Sequence, residues 1–245
     1  MARIEINFLS KILNRTTDIS LILPSYNFGN DFKSKNPDKY YQEFYENKLP
    51  LLILLHGFGG DHTSWLFFTK VEMYAEEHNI AVVMINGENN YYLNNQIGKF
   101  YDFIETELKD YLYGTFPISS KRDDNFIAGL SMGGYGALYH GFSNPQAYKA
   151  IGAFSPAIKP ANLTKSGIIV ESVSLRKLII SHKKELPDIY LSIGSEDSLL
   201  PQNLKFVKYL EDSHIASTSK VVPGYGHEWR LWDIELENFL KFIDK

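Results

Sequence analysis

The sequence predicts an α/β protein, a mostly parallel central sheet covered by helices on both faces. Three observations carry that reading. Short runs such as Leu51–Leu55 and Ile80–Ile85 are apolar at every position, as central parallel strands are, and they alternate with stretches of helical period. Two partly alternating strands open the chain, and His56, Ser131, Asp197 and His227 each follow a predicted strand end, where open sheets of this class gather their function. At 245 residues the chain has the length of one large α/β domain, so a single domain over 1–245 is expected.

Taken in order, residues 3–13 and 18–23 read as an antiparallel hairpin around Asn14-Arg15-Thr16-Thr17, and Pro24 ends its second strand. Residues 25–48 form a polar, Tyr-rich connection with one helical turn around Tyr41–Tyr45. Strand Leu51–Leu55 leads through His56-Gly57-Phe58-Gly59-Gly60 to a helix over Trp65–His78 and a second buried strand, Ile80–Ile85. A polar loop, Asn86–Asn95, precedes a helix over Ile97–Tyr113, where Phe100, Phe103, Ile104, Glu107 and Leu108 recur at helical spacing. Strand Asn125–Ala128, the turn Gly129–Gly133 and a helix through His140 come next, then strand Ile151–Phe154. Residues 157–187 carry helical patches such as Leu175–Ile180 and read as a small cap insertion. Strand Ile189–Gly194, helix Pro201–Asp212, strand Ser219–Val222 and an amphipathic helix Glu228–Ile243 complete the chain.

The turn Gly129-Leu130-Ser131-Met132-Gly133 has the G-x-S-x-G spacing, in which a serine sits at the apex of a strand-to-helix turn and the glycines let strand and helix pass closely. A tight structural connection would use the same residues, whereas a phosphate loop would need a Gly-x-Gly-x-x-Gly or a closing Lys-Ser. Chain order favours the nucleophile. A serine hydroxyl needs a base, and the base needs a group that fixes its tautomer; the acid and then the histidine should follow later strands. Behind the last acid candidates stand only His214, in a polar helix end, and His227, in a Gly-rich loop directly after a strand. His227 is the expected base, with capping of the last helix as its plain structural alternative. For the acid, Asp197 lies just beyond its strand; Glu196 reads as solvent-facing, and Asp188 precedes the strand. The remaining Asp and Glu residues read as ordinary helix-surface charge.

An oxyanion requires two preorganised donors. The Met132 N–H follows the nucleophile, and the Phe58 N–H lies in the glycine loop after the third strand. His56 is expected to shape that loop by hydrogen bonding, since no ligand spacing joins it to Asp61 and His62 as a metal site. Trp65 and Trp229 flank the two loops and suit either packing or a substrate wall. No metal or cofactor is expected.

Composition bounds the partners. The absence of cysteine excludes disulfides, thiolate metal sites and a cysteine nucleophile, and a net charge of −4 with dispersed lysines argues against nucleic acid and anionic membranes. Charges at Arg3 and Glu5 and the lack of any run near a membrane span make a cytoplasmic protein the expectation. Asn14-Arg15-Thr16 and Asn162-Leu163-Thr164 match the glycosylation pattern by chance on this reading. A homo-oligomer is compatible with the chain.

Together His56-Gly57-Phe58-Gly59-Gly60 with Trp65, Gly129–Gly136, Gly194-Ser195-Glu196-Asp197 and Gly226-His227-Glu228-Trp229 with Trp232 resemble the esterase D group of α/β-hydrolases, nearest its small bacterial tributyrin-esterase-like acyl esterases. The resemblance runs nearly the whole chain. It implies an α/β-hydrolase fold, a triad of Ser131, Asp197 and His227, oxyanion donors at Phe58 and Met132, and hydrolysis of short acyl esters, such as acetyl to butyryl, through an acyl-enzyme. Carbohydrate deacetylation, feruloyl ester cleavage, acyl transfer and a non-catalytic binding module are the alternatives. Formylglutathione hydrolases carry a cysteine near the oxyanion loop that this chain lacks.

Overall fold

Five successive strands are buried on both faces, so the sheet must be covered on both sides. The computed structural model describes residues 1–25, 45–159, 173–182 and 185–244. Its strands are β1 (Ala2–Ser10), β2 (Arg15–Leu23), β3 (Leu51–Leu55), β4 (Ala81–Ile85), β5 (Asn125–Leu130), β6 (Ala150–Phe154), β7 (Asp188–Gly194) and β8 (Thr218–Val222). They form one sheet in the order β1-β2-β4-β3-β5-β6-β7-β8. β1 pairs antiparallel with β2 and β2 with β4, and every other pairing is parallel. The α/β-hydrolase reading of the sequence holds.

Alternation along the central strands divides the core. Ile53, Leu55, Val83, Ile127 and Ile151 face one layer with Phe103, Ile104 and Leu138, while Leu52, Leu54, Val82, Met84 and Ala128 face the other with Trp65, Tyr74, Leu236 and Phe239. The first layer's helices are α3, which is α-helical over Phe100–Asp102, π-helical over Phe103–Leu108 and α-helical again over Lys109–Thr115, and α4 (Met132–Ser143). α1 (Ser64–Phe68), α2 (Val71–Glu77) and α7 (Trp229–Ile243) belong to the second. Between α4 and α7 come α5 (Leu175–His182) and α6 (Leu200–Asp212). From β3 the chain crosses to β4 on one side and returns to β5 on the other. That reversal opens a crevice at the strands' carboxyl ends.

Three details differ from the sequence reading. The expected helix over Trp65–His78 is two helices, because Thr69 is extended (φ −138°, ψ 174°) and its hydroxyl donates to the Trp65 carbonyl at 2.5 Å. The hairpin turn falls at Lys11–Asn14, ahead of the expected position, with Asn14 at φ 55°. Glu107 fixes it from α3: its carboxylate accepts from the Ser10 hydroxyl and from the Lys11 and Ile12 N–H groups, the latter two at 2.8 and 3.3 Å. Glu105 is likewise no surface charge. The expected turn at Tyr41–Tyr45 lies outside the described residues except for Tyr45, as do residues 160–172 of the expected cap and Asn162; within that cap α5 is helical.

Glu105 ties α3 to α4, the helix that follows the Ser131 turn. Its carboxylate accepts from His140 Nδ1 at 2.6 Å, Lys109 Nζ at 2.7 Å, Asn144 Nδ2 at 2.8 Å and Tyr148 OH at 2.6 Å. Burial alone would raise this carboxyl, but the His140 and Lys109 contacts outweigh it and bring it down to about 2. At Lys109 burial outweighs the same pair and lowers the ammonium from its usual range. A carboxyl that titrates lower in the folded chain than the ordinary 4.5 stabilises fully above that pH and loses its contribution as pH falls toward 2. Glu105→Gln is expected to cost about 3 kcal/mol at pH 7 and to flatten the decline of stability between pH 4.5 and 2.5, measured by urea unfolding. An equally steep decline in the variant would assign it to other carboxylates.

Candidate active site

The residues singled out from the sequence follow the carboxyl ends of β3, β5, β7 and β8. β5 stops at Leu130, and Ser131 turns the chain with φ 52° and ψ −112° before α4 begins. A non-glycine residue there is strained by about 1–3 kcal/mol, and the surroundings hold it in place. The Ser131 N–H donates to the Phe154 carbonyl at 2.9 Å, and its carbonyl accepts from the N–H groups of Tyr135 at 3.1 Å and Ala157 at 3.0 Å. Gly133 is required by proximity: a Cβ there would sit 2.4 Å from the Leu55 carbonyl oxygen and 2.6 Å from that of His56. With the Ser131 N–H engaged, the next backbone donor is that of Met132, in the first helical turn, where N–H groups have no intrahelical acceptor.

The loop after β3 is fixed by its neighbours. His56 is buried; its Nδ1 lies 2.7 Å from the Gly57 carbonyl, and its Nε2 accepts from the Gly87 N–H at 2.9 Å. An acceptor on one nitrogen and a donor on the other select the neutral ring with the proton on Nδ1. Burial brings its pKa down to about 4, so it stays neutral through the physiological range. The Tyr92 hydroxyl donates to the His56 carbonyl at 2.9 Å, and the Tyr92 carbonyl accepts from His140 Nε2 at 2.9 Å, which links this loop to the Glu105 cluster. Asn89 Oδ1 accepts the Gly59 N–H at 2.7 Å, and the Gly60 N–H donates to the Gly57 carbonyl at 3.1 Å. The Gly59 and Gly60 donors are thereby spent, and that of Phe58 is not among them. Gly57 lies close against the Ser131 turn, since a Cβ on it would be 3.6 Å from the Ser131 Cβ.

Asp197 and His227 meet: Nδ1 and Oδ2 are 2.8 Å apart, with the carboxylate fully buried and the imidazole one-third exposed. The Glu196 N–H donates to the Tyr225 carbonyl and the Ser195 N–H to that of Val222, both at 2.9 Å, and so lash the two loops together. Asp197 Oδ1 also accepts the Leu199 N–H at 2.8 Å. Burial would raise this carboxyl; hydrogen bonds from His227, the Leu199 N–H and the Ser155 hydroxyl outweigh it and hold the group below the usual carboxylate range. Glu196 is exposed, Asp188 starts its strand and pairs with Lys149 at 3.3 Å, and His214 is exposed at the far end of the sheet.

Ser131 and His227 line one cavity of about 400 Å³, together with Gly57, Phe58, Ser64, Phe68, Trp229 and Trp232. Two larger clefts, of about 700 Å³ each, lie elsewhere: one at the amino ends of the strands beside Lys149 and His214, one between α5 and α6. His214 and Ser217 both line the first, but among the described residues neither cleft holds a histidine paired with a carboxylate. Of the two expected aromatic walls, Trp229 lines the cavity. Trp65 does not; it is fully buried behind, donating Nε1–H to the Leu55 carbonyl at 3.1 Å and meeting Trp229 edge-on at 5.3 Å. The wall partner is Phe68, stacked on Trp229 at 4.8 Å. Sequence reasoning gave no role to Phe68, Asn89, Ser155 or the Trp232 indole donor; Phe68 lies one helical turn beyond Trp65, and Trp232 stood only among the residues of the family resemblance.

This fold, with a serine on a strand-to-helix turn and an imidazole–carboxylate pair at the same sheet edge, defines the α/β-hydrolase class. The "Putative esterase" family model matches residues 25–243, and the chain belongs to that family. An acetyl esterase of Caldicellulosiruptor saccharolyticus is 30% identical, in an alignment covering 100% of this chain and 99% of that protein. Among solved structures, the fluorophosphonate-binding serine hydrolase FphF of Staphylococcus aureus superposes with a TM-score of 0.85 at 28% identity, covering 100% of this chain and 98% of that one. S-formylglutathione hydrolase (FrmB) from the same species gives 0.83 at 28% identity, with 100% and 99% covered. The chain is a carboxylic ester hydrolase. Among the described residues, no helix is long and apolar enough to cross a membrane.

Asn89→Ala frees the Gly59 N–H and loosens the glycine loop after β3. Steady-state kinetics are expected to show kcat lowered by about ten- to a hundredfold with the melting temperature nearly unchanged; an unaltered kcat would mean that the loop is set without Asn89.

Proposed function

We propose that the chain is a serine esterase that cleaves short-chain acyl esters, acetyl to butyryl, through an acyl-enzyme on Ser131. The observation that carries the reading is the buried Asp197 carboxylate 2.8 Å from His227 Nδ1, at the cavity that also holds the strained Ser131. With Nδ1–H committed to Asp197, His227 presents Nε2 as the base. Ser131 Oγ adds to the ester carbonyl carbon as Nε2 takes its proton. The tetrahedral oxygen draws on the Phe58 and Met132 N–H groups, each such donor being worth about a hundred- to a thousandfold in rate. Collapse breaks the carbon–alkoxide bond, and the imidazolium returns the proton to the alcohol. Water then repeats the addition, giving its proton to His227, and the acid leaves as Ser131 regains it. Asp197, held below the usual carboxylate range, stays ionised and stabilises the imidazolium throughout.

A cavity of about 400 Å³ with Phe58, Phe68 and Trp229 on its walls suits a small apolar acyl ester better than a long chain. The cytoplasmic location expected from the sequence belongs to the same proposal.

Initial rates on p-nitrophenyl acetate, butyrate and octanoate test it. The two short esters are expected to turn over at least about tenfold faster than octanoate, and a folded Ser131→Ala variant to lose about 10⁴-fold or more in kcat. Equal activity of variant and parent would remove Ser131 from its role, and a preference for octanoate would contradict the acyl pocket.

A further inference from the structure

Ser155, directly after β6, has no part in the chemistry above, yet it is fully buried and stands at φ 46°. An L-residue with a side chain adopts that backbone at a cost, so the surroundings must impose it. Its N–H donates to the Ser192 carbonyl at 2.7 Å, next to the strand that delivers Asp197. Its hydroxyl accepts the Trp232 indole Nε1–H at 3.2 Å, and it is among the groups that hold the Asp197 carboxyl below the usual range. An indole nitrogen only donates and an ionised carboxylate only accepts, so the one hydroxyl proton is free of the indole and available to Asp197. Turned that way, it completes a chain from Trp232 Nε1–H through Ser155 Oγ–H toward the carboxylate, whose Oδ2 meets His227 Nδ1. Trp232 closes the ring by packing edge-on against the His227 imidazole at 4.9 Å and 83°. The same segment holds the nucleophile, since Phe154 accepts the Ser131 N–H and Ala157 donates to the Ser131 carbonyl.

We propose that Ser155 is a positioning residue which, oriented by Trp232, clamps the Asp197 carboxylate relative to the nucleophile turn and withdraws part of its charge from His227. The proposal deepens the esterase reading and rests on it for its kinetic consequence. The direction of the effect is fixed by the donor count. Removing the Ser155 hydroxyl leaves more negative charge on Asp197, which favours the imidazolium, so protonation of His227 moves to higher pH. A merely structural loss that displaced Asp197 would move it the other way. The charged residues nearest His227 in the chain are Glu228, whose carboxylate accepts the Gly226 N–H at 3.4 Å, and the exposed Arg230, with the exposed Glu196 beside Asp197. Both variants below leave them in place.

The test is a pair of variants, Ser155→Ala and Trp232→Phe, compared with the parent chain in two readouts. NMR of histidine-labelled protein follows the titration of His227 without substrate, and steady-state kinetics on p-nitrophenyl acetate give kcat and KM from pH 5 to 9. Ser155→Ala is expected to raise the His227 midpoint by about half a pH unit or more, to lower kcat about tenfold and to leave KM within about twofold. Trp232→Phe keeps the ring but not the N–H, and should shift the midpoint in the same direction by less. It also carries the test alone if Ser155→Ala does not fold. A His227 midpoint that stays or falls in the folded variants overturns the proposal. If the parent chain hydrolyses no ester while the NMR shift occurs, the esterase reading fails and the clamp stands.

Discussion

The backbone at Ser131 is the constraint on which the rest depends. A serine held at φ 52° and ψ −112° relaxes unless its flanks are pinned, and they are pinned from three directions. Its own peptide groups bond to the Phe154 carbonyl and the Ala157 N–H, and Gly133 lets α4 start against the carbonyls of Leu55 and His56. β3, β5 and β6 thus converge on one residue. Parallel pairing of these strands makes their carboxyl ends finish together, which is why the Ser131 turn and the glycine loop after β3 lie side by side.

Behind this front edge runs a buried polar network whose members are not catalytic. Glu105 receives four donors; one of them, His140, reaches the Tyr92 carbonyl, and the Tyr92 hydroxyl reaches the carbonyl of His56. Buried polar groups stabilise a unique arrangement only when each is satisfied, and here the chain of bonds joins α3, α4, the loop after β4 and the glycine loop after β3. Tyr91 and Tyr92 both stand at positive φ, 59° and 62°, so this loop too is held against its own preference. Ser131 is strained at the cavity itself, and Ser155 and Tyr92 are strained behind it, where they bond to Trp232 and to the His56 carbonyl.

What the sequence made legible follows from local chemistry. The two-sided apolar runs located the central strands, and G-x-S-x-G with a later acid and a last histidine pointed to the residues that the fold brings to one edge. The broken helix after Ser64 was hidden because Thr69 ends α1 with a hydroxyl bond that any helical pattern tolerates. Glu105 and Glu107 looked like solvated helix charge, and their roles come from partners far along the chain, including His140 and the Ser10 turn. Trp65 and Trp229 were indistinguishable as aromatic neighbours of loops; packing sent one ring behind the other. Ser155 carried no motif, for its importance arises only when β6 and β7 lie adjacent and α7 lays Trp232 across them.

The central claim is that Ser131 becomes covalently acylated during turnover. Acid quenching of the enzyme while it hydrolyses p-nitrophenyl butyrate, followed by proteolysis and mass spectrometry, measures this directly. A butyryl group on the peptide containing Ser131, localised to that serine by fragmentation, is the expected result. A butyryl group on another side chain, or turnover with no acylated peptide under conditions that trap the intermediate in a known serine esterase, would contradict it.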